Sequence, residues 1–257
     1  MIERTVNVAS PDGQIESFIT HPEGGGAFPA IVLYMDVWGL REELFDVARR
    51  IATTGYYCIV PDFYYRFGRV RHEYRDANNR MVSLELLDDA RKEKVRAAMW
   101  QLSDAMVVND TGALLKFMDG GEPVRPGAMG AIGYCMGGRH VFCVAGSYPE
   151  RFRGCASLHG TRLVKDGAGS PHLTALKAQG ELYCGFAEKD PFAAPPVVKA
   201  LTETLRGATV KFSYELHKAA DHGYALPDRD IHDKRAANRD WELMFALWRR
   251  QIPLLLA

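Results

Sequence analysis

The stretch from Ala128 to His140 reads AMGAIGYCMGGRH, and its centre, Gly133-Tyr134-Cys135-Met136-Gly137, is a G-x-C-x-G. The apolar run Ala128 to Ile132 predicts a buried strand, and the apolar residues between Arg139 and Ser147 predict a buried helix. A nucleophile carried on such a strand-to-helix turn stands clear of the sheet, with its side chain free to react. Glycine is needed at Gly133 and Gly137, because a Cβ at either place would crowd neighbouring backbone. The helix N-terminus aimed at the sulfur favours thiolate. A lone cysteine beside a tight turn is more often a buried structural residue. Here the turn and the reactive residue arrive together, which marks Cys135 as a nucleophile.

A thiol nucleophile needs a base, and the base needs an orienting group. With the nucleophile on a strand-to-helix turn, the acid is expected at the end of a later strand and the histidine in the loop after the last one. Asp190, just beyond the strand predicted at Leu182 to Ala187, meets the first condition, with Glu188 as its rival. His222, in Asp221-His222-Gly223, meets the second. Its rival His217 lies directly on the end of the strand predicted over Thr209 to Leu216, where sheet packing would hold it. The remaining histidines precede the turn or fall in helices and irregular segments. Two backbone N–H groups should form an oxyanion hole: that of Met136, after the nucleophile, and that of Val37, after the strand Pro29 to Met35. Asp36 sits at the carboxyl end of that central strand, where its charge would oppose thiolate at Cys135, so it is expected to modulate the thiol; a capping or loop-stabilising aspartate is the other reading. Trp38, Tyr64, Tyr65 and Tyr134 are candidates for the pocket wall, although aromatics in such runs are as often core.

These residues need elements to hold them. Two β-rich runs, Thr5 to Ser10 and Gln14 to Thr20, flank Pro11-Asp12-Gly13 and predict an antiparallel hairpin. After it strands and helices alternate: strand Pro29 to Met35, helix Arg41 to Thr54, strand Tyr56 to Val60, helices Leu84 to Leu102 and Asp104 to Met118, the Cys135 strand and helix, strand Arg153 to His159, strand Leu182 to Ala187, helix Pro195 to Arg206, strand Thr209 to Leu216 and a last helix from about Asp230 to Arg249. That alternation predicts one α/β domain over 1–257, with a mostly parallel sheet, helices on both faces and the hairpin at its edge. The basic segment Arg69 to Arg80 reads as solvated surface, Thr161 to Gly180 as an irregular excursion, and the apolar end from Ile252 to Ala257 as docking on the body.

The bulk properties narrow the function. The chain has 257 residues, 47% of them hydrophobic, which is ample for a core. Its formal net charge of +0 makes no case for nucleic acid or an anionic membrane surface. No stretch approaches the ~20 apolar residues that span a bilayer, and the first residues carry no apolar signal segment. The 5 cysteines are odd in number and show no C-x-x-C spacing, which predicts reduced thiols, a cytoplasmic protein and no zinc site. The partner expected is a small molecule, and the chain is read as a monomer or small homo-oligomer.

The run Gly133-Tyr134-Cys135-Met136-Gly137-Gly138, the loop Pro61-Asp62-Phe63-Tyr64, the segment Gly185 to Pro191 and Asp221-His222-Gly223-Tyr224-Ala225 together resemble the dienelactone hydrolase family, over about residues 5 to 250. The resemblance implies an α/β-hydrolase fold, a triad of Cys135, Asp190 and His222, and hydrolysis of an enol-lactone or related ester through an acyl-cysteine, without metal or organic cofactor. Two positions depart from the family. It usually carries glutamate where Asp36 stands, and it holds the substrate carboxylate with arginines, one of them a few residues after the histidine, where Leu226 stands here. Arg229 is the nearest arginine; the substrate then either lacks the dienelactone carboxylate or binds it elsewhere, through Arg91 or a residue of the Arg66 to Arg80 segment. A general carboxylesterase or thioesterase of the same fold, and a catalytically silent binding protein, are the competing functions.

Overall fold

The computed structural model describes residues 1–254. Its strands are β1 (Ile2–Ser10), β2 (Gly13–His21), β3 (Ala30–Tyr34), β4 (Tyr57–Pro61), β5 (Met129–Tyr134), β6 (Phe152–Leu158), β7 (Glu181–Ala187) and β8 (Lys211–His217), in a single sheet of order β1-β2-β4-β3-β5-β6-β7-β8. β1 pairs antiparallel with β2, and β2 antiparallel with β4; every other pair is parallel. The predicted hairpin is therefore the antiparallel margin of an otherwise parallel sheet. The inner strands β3, β4 and β5 are buried along their whole length, which is why they read as unbroken apolar runs rather than alternating ones.

The helices are α1 (Glu42–Ala52), α2 (Asp89–Gln101), α3 (Asp104–Asp119), α4 (Met136–Ser147), the short α5 (Pro171–Thr174), α6 (Pro195–Leu205) and α7 (Lys234–Gln251). α1 buries Leu44, Val47, Ala48 and Ile51 on one stripe, with Glu42 and Glu43 in its first turn and Arg49 and Arg50 in its last, matching the helix dipole. It shares a face of the sheet with α7, where the Arg50 guanidinium lies 4.2 Å from the Trp241 ring centre. α3 and α4 pack together on the other face. α4 is buried almost from end to end, as its apolar sequence predicts. Ile252 is fully buried, so the start of the apolar C-terminal segment docks on the body; residues 255–257 lie outside the described residues.

Two segments differ from their reading. The helix predicted from Leu84 begins only at α2, because the Asp88 side chain accepts the Arg91 N–H at 2.8 Å and caps the helix there. The basic segment before it is more than solvated surface. Its His72 N–H donates to Trp38 O at 3.0 Å, and its continuation ties Met81 N–H to Asp228 O at 2.7 Å. Met81 is fully buried in a satellite apolar cluster with Val37, Trp38, Leu87 and Val95. The burial of those side chains holds residues 69–88 across the loop after β3, while the arginines of the segment stay at its margin.

Candidate active site

Cys135 stands between β5 and α4 with φ 54° and ψ −115°, a left-handed-side conformation that only a tightly held turn keeps. Its N–H donates to Leu158 O at 3.0 Å and to His159 Nδ1 at 3.1 Å, and its carbonyl accepts from Gly138 and Thr161 N–H, each at 3.1 Å. The flanking glycines are there for space. A Cβ on Gly133 would meet the Gly137–Gly138 backbone, and one on Gly137 would lie 2.6 Å from Met35 O. The β3 carbonyls thus pass directly under the turn, and no side chain fits between them.

β7 ends at Ala187 and β8 at His217, so the loops that follow open at the same edge of the sheet as Cys135. The Asp190 carboxylate, 2% exposed as a residue, accepts the Phe192 N–H at 2.8 Å through one oxygen and contacts His222 Nδ1 at 2.6 Å through the other. That contact fixes the ring, and His222 lies within hydrogen-bonding reach of the Cys135 side chain. Burial alone would lower the His222 pKa. Its electrostatic interaction with Cys135 and the bond to Asp190 more than reverse this, and it is pushed up to about 10. The three residues chosen from the sequence are therefore brought together. Glu188 points away, its carboxylate accepting the Ala219 N–H at 2.9 Å. His217 turns to the interior and contacts Asp240 at 2.7 Å.

Neither the Val37 nor the Met136 N–H has a partner among the described residues. Tyr64 lies between them, fully buried, its hydroxyl donating to Val37 O at 3.2 Å and lying 3.7 Å from the Met136 sulfur. Trp38 is buried beside the same loop, and Tyr134 is buried with its ring against His159. Arg91 is 58% exposed on α2 and is occupied by Asp88 and the Tyr74 ring; no described bond joins it to Cys135, Asp190 or His222.

Asp36 is held by an arginine and its own loop. Its two oxygens accept Arg41 Nη1 and Nη2 at 2.8 and 2.9 Å, and one also takes the Trp38 N–H at 3.1 Å. Both side chains are 1% exposed, and Arg41 Nε donates to Asp228 at 3.0 Å. The carboxylate bonds a guanidinium and the loop, and no described bond runs from it to the thiol. A shorter side chain than glutamate keeps it close to its own backbone, where a bidentate arginine partner is available.

His159 and Asp240 lie beyond the sequence reading, and Arg229, named there only as the nearest arginine, gains a definite place. His159, one residue past β6, is fully buried and held well below its usual pKa by burial, then by His222 and Arg229. It is neutral, and accepting the Cys135 N–H at Nδ1 puts its proton on Nε2. Its place at the carboxyl end of a parallel strand next to β5 is the signal that marks it. Asp240 of α7 takes the Tyr183 and Tyr224 hydroxyls at 2.6 and 2.5 Å as well as His217, so one buried carboxylate pins both ends of the loop carrying His222. Arg229, 5% exposed, has its guanidinium 5.2 Å from the Trp38 ring centre and its Nε without a partner among the described residues. It also lines Gly223, where an added Cβ would lie 3.3 Å from its Nη1. Among the described residues no three His, Cys, Asp or Glu side chains converge as a metal site requires, and no helix is long and apolar enough to cross a membrane.

The dienelactone hydrolase family model matches residues 15–252. The chain belongs to that family. A Synechocystis protein that bears the name carboxymethylenebutenolidase provisionally is 27% identical over 255 residues, covering 96% of each chain. A Bradyrhizobium protein named, also provisionally, a 2-oxo-3-(5-oxofuran-2-ylidene)propanoate lactonase is 19% identical and covers 90% of this chain and 88% of its own. A crystal structure from Klebsiella pneumoniae, titled as a provisional dienelactone hydrolase, superposes with TM-score 0.82 at 20% identity, covering 97% and 98% of the two chains. The fold is that of the α/β-hydrolases, and family membership makes the protein a hydrolase of ester or lactone bonds.

Proposed function

We propose that the protein cleaves a small ester or lactone, dienelactone-like in type, through Cys135 as a covalent nucleophile. The observation that carries this reading is the 2.6 Å contact of His222 with the buried Asp190, on a ring that lies within hydrogen-bonding reach of the Cys135 side chain. The Cys135 thiolate attacks the carbonyl carbon and the carbonyl electrons move to oxygen. The oxyanion sits between the Val37 and Met136 N–H groups, which are free to receive it. On collapse the carbon–oxygen bond breaks, His222 gives its proton to the leaving oxygen, and an acyl-cysteine remains. In a lactone the leaving oxygen stays tethered to the acyl chain. His222 then takes a proton from water, which attacks the thioester and frees the acid and the thiolate.

A substrate carboxylate would be held by Arg229, the buried guanidinium beside Trp38 and the His222 loop, rather than by Arg91. The lactonase name borne by the Bradyrhizobium relative agrees with an oxidised lactone acid as substrate class. The test is a panel of enol-lactone acids, neutral esters and thioesters, with Cys135→Ala as the control. Turnover of the lactone acids, lost in Cys135→Ala and weakened mainly through KM in Arg229→Gln, is the expected result. Preference for neutral esters or thioesters would move the function to a general esterase, and stoichiometric labelling of Cys135 with no turnover would make the protein a binder.

A further inference from the structure

β8 is an outer strand of the sheet, with β7 on one side and no strand on the other among the described residues. The Lys211 N–H donates to Gly180 O, and the His217 carbonyl accepts from the Glu188 N–H, so these two residues turn their backbone groups inward. Alternation along the strand does the same for Ser213 and Glu215, and leaves the N–H and C=O of Phe212, Tyr214 and Leu216 pointing outward. Sheets that end in solvent usually blunt such an edge with a bulge, a proline or an inward charge. β8 has no bulge and no proline: its register with β7 runs unbroken from Lys211 to His217, its charges Lys211 and Glu215 lie on the α7 face, where Glu215 meets Arg239 at 3.5 Å, and Phe212, Tyr214 and Leu216 are uncharged. Tyr214 and Leu216 are 44% and 47% exposed, and they form one wall of a cleft of about 490 Å3 whose other wall is the Ala193 to Arg206 region of α6.

We propose that β8 pairs antiparallel with β8 of a second copy of this chain, about a two-fold axis passing through Ser213. The register follows from charge. With Ser213 on the axis, Lys211 of each copy stands opposite Glu215 of the other, on the face toward α7. Phe212 then stands opposite Tyr214, and Val210 opposite Leu216, on the face toward α6. The outward backbone groups of Phe212 and Tyr214 become reciprocal hydrogen-bonded pairs. Shifting the axis to Tyr214 would set Lys211 against His217 and leave Glu215 facing Ser213, losing every opposite-charge pair. The contact is isologous, closes at two copies, and covers the exposed Tyr214 and Leu216 side chains.

Sedimentation or light-scattering mass measurement on the whole chain tests this. The wild type should be a dimer. Lys211→Glu places like charges opposite one another at both ends of the pairing and should weaken the dimer by roughly tenfold or more. The double variant Lys211→Glu with Glu215→Lys restores the pairs and should restore the dimer. Tyr214→Pro removes an outward N–H that β7 does not use, and should give a monomer whose circular dichroism and melting stay those of a folded protein. A wild type that is monomeric at about 100 µM, a dimer unaffected by Lys211→Glu and Tyr214→Pro, or a double variant that fails to re-dimerise would overturn the proposal.

Discussion

Asp36→Asn separates two roles for one carboxylate. The change keeps the shape and leaves an oxygen to accept the Trp38 N–H, but removes the charge that faces Arg41. Burial works against the Arg41 charge, and Asp36 and Asp228 more than offset it. In the variant the guanidinium, 1% exposed, keeps Asp228 at Nε as its charged partner and a neutral amide oxygen at Nη1, and loses the Nη2 acceptor. Removing one partner of a buried pair costs about 3–5 kcal/mol; the surviving carboxylate places this case at the lower end, about 3 kcal/mol. For a domain of this size each kcal/mol moves Tm by about 2–4 °C, so the variant should melt about 6–12 °C below wild type. Thermal and urea unfolding followed by circular dichroism measure the loss. In parallel, the alkylation rate of Cys135 against pH should keep its wild-type profile, because the carboxylate bonds the arginine and not the sulfur. A loss under about 1 kcal/mol together with a displaced alkylation profile would refute this reasoning and return Asp36 to the thiol.

Cys135→Ala should abolish ester and lactone turnover while melting near wild type, since alanine keeps the Cβ that the turn already accommodates; turnover near wild type would remove Cys135 from the chemistry. His222→Ala should lower turnover by about a hundredfold or more, whereas His217→Ala should act first on stability, because His217 bonds the buried Asp240; kinetics and melting of the two variants side by side decide it. Under native conditions a thiol reagent should label one cysteine quickly, because Cys58, Cys143, Cys155 and Cys184 are buried and burial pushes their thiols up, Cys143 and Cys155 to about 12. Cys135→Ser should lower the His222 pKa from its raised position, read by imidazole NMR, because the first cause raising it is the electrostatic interaction with Cys135. Glu43 is pushed up to about 7, chiefly by burial and then by Asp228. A carboxyl whose folded pKa is raised helps the fold only while protonated, so this part of the stability is complete below about pH 4.5 and is lost as pH rises through 7. Glu43→Gln should therefore gain on wild type at pH 8 and not at pH 4, measured as the difference in urea midpoints.

Much of the fold is legible along the chain because its signals are local. The apolar runs at β3, β4 and β5 announce strands buried on both faces, the period of α1 announces its stripe, and Asp12-Gly13 announces the hairpin. The choice of Cys135, Asp190 and His222 rests on chain order at strand ends, and a parallel sheet carries that order to one edge. What the chain alone left open depends on partners distant in sequence or on which of two neighbours a charge prefers. Asp36 could meet a thiol or a guanidinium, and only the start of α1 folding back under the loop, with Asp228 on its far side, sends it to Arg41. His159 looks like any histidine until β6 is laid against β5 and its ring reaches the Cys135 N–H. Arg229 and the basic segment Arg69 to Arg80 become neighbours of Trp38 only when Met81 buries itself in that apolar cluster. Periodicity and turn chemistry act over a few residues and can be read from the sequence; the pairing of a buried charge is decided by whichever opposite charge the closed sheet and its helices bring within reach.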